Sequence, residues 1–132
     1  MARTLLIISG VMNGITGMLL TFIPEELLLW TDGEAGEAAI LYVSIVGAAM
    51  LGFGMMNYMG RNAVYGGIYG KPIILGNLLF HTVAAVHLIK FSMNTSDTLM
   101  IPTAVAGTLY FIFAAGFIRL NFFPPDLKTS QG

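Results

Sequence analysis

The stretch Ile73–Phe91, IILGNLLFHTVAAVHLIKF, decides the fold. As a helix it is long enough to cross the ~30 Å hydrocarbon core of a bilayer. It also carries Asn77, His81, His87 and Lys90. Polar side chains in a lipid-buried helix are uncommon and face protein or water, so they mark where a function would show.

The composition around this stretch agrees with it. The 132-residue chain is 56% hydrophobic and 10% charged, with a mean hydropathy of +0.79. That lies outside the range of ordinary soluble domains. Four apolar runs, near 4–23, 38–59, 73–91 and 100–119, each approach the ~20 residues a spanning helix needs. The expected fold is all-α, a four-transmembrane-helix antiparallel bundle forming one transmembrane domain over 1–132. Sixteen glycines suit such helices. The absence of cysteine excludes disulfides and thiol chemistry. No basic cluster or base-stacking pattern points to nucleic acid.

Taken in order, Arg3 followed by an apolar run resembles a signal peptide. The run is long and no small-x-small cleavage site follows it, so a retained span is expected. Gly10, Gly14, Gly17 and Thr21 share one face, beside Asn13, and Gly10-x-x-x-Gly14 permits close helix approach. Pro24-Glu25-Glu26 then reads as a helix start, with proline in the first position and two acids favourable to the dipole. Trp30 places this short helix at the interface. In the second span Ser44, Gly47, Ala48, Leu51 and Met55 form a second small-residue seam. Its methionine cluster reads as adaptable packing, not a copper(I) site. The glycine-rich segment 60–72 is a turn, and its Gly-Gly-x-x-Gly-Lys lacks the spacing of a phosphate loop. Gly107 lies on the packing face of the fourth span with Thr103 and Tyr110. LKTSQG ends the chain as a polar tail.

Charge sets the orientation. Four spans place Arg3, Arg61, Lys71, Arg119 and Lys128 on one side and Lys90 alone on the other. By the positive-inside rule both termini are cytoplasmic, in a bacterial inner (plasma) membrane. Glu25, Glu26, Asp32, Glu34, Glu37 and Asp97 then face outward, and Asp126 inward.

Counting from the span ends puts Asn13, His81 and Tyr110 near mid-depth, with Asn77 one turn away. These four are the candidate ligand or proton site. His87 and Lys90 are outer-interface candidates. A histidine titrates in a range suited to a switch. Packing specificity through buried hydrogen bonds is the commoner role for such residues, and no acid accompanies His81 in the membrane. No catalytic set, metal motif or cofactor motif is apparent.

The segments IPEELLLW, YVSIVGAAMLGFG and KPIILGNLLFH, in that order, give the chain a layout that resembles the small uncharacterised bacterial four-helix integral membrane proteins of DoxX-like type. The resemblance implies a four-span bundle and supplies no catalytic residues. The function expected is a non-enzymatic interaction or accessory subunit, with membrane lipids and a second copy or another membrane protein as partners. The alternatives are an oligomeric transporter or channel with a polar midplane site around His81, and a lipid- or quinone-handling enzyme using His87.

Overall fold

A computed structural model describes residues 2–32, 35–62, 70–95 and 98–123. Within these the protein is all-helical. The helices are α1 (Ala2–Phe22), α2 (Pro24–Asp32), α3 (Glu37–Gly60), α4 (Gly70–Asn94) and α5 (Met100–Phe122). All but α2 are long and apolar enough to cross a membrane. Each overlaps one of the four apolar runs, with ends that differ by at most three residues. The central residues of the glycine-rich turn (63–69), Glu34, Asp97 and the tail with Asp126 and Lys128 lie outside the described residues.

The chain divides into two compact units, Leu6–Arg61 and the described part of Met1–Leu5 with Asn62–Gly132. In the first, α1 runs into α2 through a break at Pro24. Ile23 N donates to Leu19 O at 3.0 Å and Leu27 N to Ile23 O at 3.2 Å. Between them Pro24 has no N–H to give, so the ladder loses a rung and a new helix begins. Glu25 and Glu26 occupy its first turn, where acids favour the helix dipole. The α2 helix packs back on α3. Arg61 follows α3, with its guanidinium 3.9 Å above the Tyr58 ring and hydrogen-bonded to Tyr58 O.

In the second unit α4 and α5 lie antiparallel, with the Gly107 backbone against Leu88 and Ile89 while His81 meets Phe113 and Phe117. Leu5 covers Gly116. The α4 helix outlasts the apolar run that ends at Phe91. Ser92 Oγ donates to Ile89 O at 2.8 Å, and Asn94 Nδ2 to Lys90 O at 2.7 Å, so both polar side chains bond back to their own helix, and Thr95 N donates to Phe91 O. Likewise α5 reaches Phe122, with Arg119 in its last turn and Phe123 N donating to Arg119 O at 2.8 Å. Pro72 and Pro102 both sit in first turns, where a missing N–H costs no helical bond.

Burial is reversed relative to a water-soluble protein. Leu79, Met59 and Ile101 are 68%, 70% and 73% exposed, while Ser9, Asn13, Asn57, Asn77, His81 and Ser92 are buried. Hydroxyls along the spans mostly serve their own helix: Thr21 Oγ1 donates to Gly17 O, Ser44 Oγ to Ile40 O and Thr108 Oγ1 to Ala104 O. This back-bonding satisfies a hydroxyl without a neighbouring helix or water.

Candidate functional site

The polar candidates of α4 are tied down within their own helix. His81 Nδ1 lies 2.7 Å from the Asn77 backbone carbonyl, and Asn77 Nδ2 donates to Ile73 O at 2.8 Å. A carbonyl only accepts, so in this bond Nδ1 carries the proton. The imidazole is buried in an aromatic cage. Its ring centroid stands 5.2 Å from Phe117, 5.3 Å from Phe113 and 5.5 Å from Tyr110, all tilted by 32–41°. Phe80 closes the group edge-on at 5.2 Å. These separations and tilts fall among favourable aromatic geometries. The structure thus brings His81 and Tyr110 together, with Asn77 meeting His81 through its backbone carbonyl. Phe113 and Phe117, at helical spacing on α5, complete the cage. Sequence reasoning named neither as a site residue, because apolar residues in an apolar span carry no local signal.

Asn13 belongs to the other unit and is fully buried there. Neither its Nδ2 nor its Oδ1 is hydrogen-bonded among the described residues. One turn earlier, Ser9 Oγ receives a bond of 3.0 Å from Asn57 Nδ2, and both residues are buried. This pair joins α1 to α3 and was not anticipated. Asn57 sits in the methionine-rich end of its span, where the methionines drew attention first.

The glycine seams resolve in detail. A Cβ on Gly17 would stand 2.6 Å from Leu51 N and 2.7 Å from Gly47 O, and one on Gly47 would stand 2.7 Å from Thr21 N. One on Gly10 would meet Gly54 O at 3.0 Å, and one on Gly54 would meet Gly14 N at 2.8 Å. These pairings run in opposite directions along the two helices, so α1 and α3 are antiparallel with their backbones in contact. The buried series of α3 is Gly47, Met50, Gly54, Asn57 and Gly60. Ala48 and Met55 are exposed and Ser44 is partly buried. The contacting face is therefore turned from the one expected on Ser44, Gly47 and Ala48. Gly14 and Gly52 have nothing within 4 Å of an added Cβ and border an outward groove of about 470 Å³.

His87 and Lys90 are both exposed near the end of α4. Among the described residues no three His, Cys, Asp or Glu side chains gather to hold a metal. No protein-family model, curated protein or solved structure matches the chain.

Proposed function

We propose that the chain is a multi-pass protein of a bacterial inner membrane with both termini cytoplasmic. It serves there as a non-enzymatic interaction or accessory subunit, bound to a second copy or to another membrane protein. The observation that carries this reading is the outward groove on the Leu6–Arg61 unit, bordered by Gly10, Val11, Gly14, Gly52, Met55 and Tyr58. Its glycines leave backbone uncovered, and small residues at a helix surface let a neighbouring helix approach closely. The reversed burial and the four long apolar helices support the membrane setting. The one-sided placement of Arg and Lys supports the orientation.

Gly14→Leu and Gly52→Leu test this reading, because both positions border the groove and an added Cβ at either meets nothing within 4 Å. Energy transfer between labelled copies, and co-purification with membrane partners, should fall about tenfold, equivalent to ~1.4 kcal/mol of lost association. Unchanged association in both variants sinks the interaction reading.

A second reading, an oligomeric transporter or channel with a polar site around His81, rests on Asn13. A buried amide without hydrogen bonds suits a water or polar solute that visits it. Solute flux in liposomes that disappears in Asn13→Leu and His81→Gln, with helicity retained, would favour transport over interaction.

A further inference from the structure

We infer that the groove between α4 and α5 binds an anionic phospholipid, with one acyl chain laid along its apolar trough and the headgroup phosphate on Lys90. This rests on the membrane setting proposed above and goes beyond it by naming a ligand class and a site.

The trough lies within a single unit and holds about 350 Å³, a volume within the range of small-molecule sites. Ala85, Val86 and Ile89 of α4 face Phe111, Ala115 and Ile118 of α5 across it, and its walls are almost wholly apolar. Along α4 it runs from Thr82 to Met93. At 1.5 Å per residue that is about 16 Å, close to half of the ~30 Å hydrocarbon core. The α5 wall is shorter, Phe111 to Ile118, about 10 Å, so the trough takes part of one acyl chain and is too short for a spanning helix.

Its charged end is equally specific. Lys90 lines the trough and also borders a second, wider recess of about 530 Å³ with His87, Phe91 and Asn94. Lys90 is thus the residue shared by the apolar trough and a recess that also carries the polar side chains of His87 and Asn94 near the end of α4. No acidic residue occurs among the described residues of this unit, and Lys90 has no ion pair among them. An exposed cation on the lining of an apolar trough complements an amphiphile with a negative head. A zwitterionic lipid fits less well, because it brings its own cation close to Lys90.

The test uses the full chain in vesicles of equal parts phosphatidylcholine and phosphatidylglycerol, followed by native mass spectrometry of the lipid retained after extraction. Phosphatidylglycerol should be enriched about fivefold over phosphatidylcholine, the scale expected of one basic residue at an anionic surface. Lys90→Gln should abolish the enrichment and Lys90→Arg restore it. Ala115→Phe should reduce retention of both lipids by blocking the trough. Lys90 is exposed, so its substitution leaves the fold intact and the result readable even if Ala115→Phe does not fold. Absence of enrichment in the parent chain, or enrichment that persists in Lys90→Gln, overturns the site. A chain that fails to float with the vesicles overturns the membrane setting as well. Flotation without preference overturns the lipid site alone.

Discussion

In the Leu6–Arg61 unit α1 and α3 meet backbone to backbone, whereas in the other unit α4 and α5 meet through rings. Gly10, Gly14 and Gly17 face Gly47 and Gly54 with no room for a methyl group at most of these positions. Across the α4–α5 seam, His81, Phe113 and Phe117 fill the space between the helices, and Gly107 brings main chain close to Leu88 and Ile89. In the membrane setting proposed above, lipid tails are as apolar as leucine, so neither pair would gain from leaving water. Each must gain through dispersion contacts and a few interhelical hydrogen bonds. Glycine contact secures these by proximity and ring contact by area. The first arrangement has no slack, because backbone atoms cannot rotate away. The second can repack.

The most severe way to break the contrast is Gly47→Ala. Its new methyl meets Thr21 N and Gly17 O, which are backbone atoms, so a loss of about 3 kcal/mol is expected, the upper part of the usual overpacking range. Gly107→Ala is the matched change in the other unit. Its nearest neighbours are the Ile89 side chain at 2.9 Å and the Ile89 backbone N at 3.1 Å, looser than the contacts at Gly47, and a smaller loss of about 1 kcal/mol is expected. Unfolding of both variants in mixed detergent micelles compares them directly, and equal losses would erase the distinction.

Phe117→Ala should cost about 2 kcal/mol in the same assay. That is below the aqueous large-to-small range, because lipid can replace part of the lost packing. Asn13→Leu should stabilise the chain by about 1 kcal/mol, since it removes a buried amide that lacks hydrogen bonds. A marked loss of stability there would mean that Asn13 has a partner in the membrane, and would strengthen the transport reading. The smallest effect belongs to Ser9→Ala, which deletes the acceptor of the Asn57 bond. Hydrogen bonds between membrane helices average about 0.6 kcal/mol, and a loss near that value is expected by the same unfolding measurement.

Much of this is legible in the sequence. Gly10, Gly14, Gly17 and Gly47 were readable as packing residues because small side chains at helical spacing have few other uses in an apolar span. His81 and Asn77 stood out because a polar residue there demands a partner. The missing part was helix phase. In α3 small residues occupy two adjacent faces, Gly47 with Gly54 and Ala48 with Gly52, and periodicity alone ranks them equally. Gly54 and Asn57 were missed for that reason, since their partners lie on another helix.

The sequence by itself determined that the chain forms four long apolar helices and a Pro24-led short one. It also placed the basic residues asymmetrically along them. Those are local properties, set by hydropathy, length and the missing N–H of proline. Only the tertiary structure decided that Ile73–Phe91 turns His81 into a cage of Phe113, Phe117 and Tyr110. It also decided that Asn77 and His81 bond back to their own helix and that Lys90 lines an apolar trough. These depend on the rotation and register of one helix against another, which weak, short-ranged dispersion contacts summed over many residues select, and no single residue encodes.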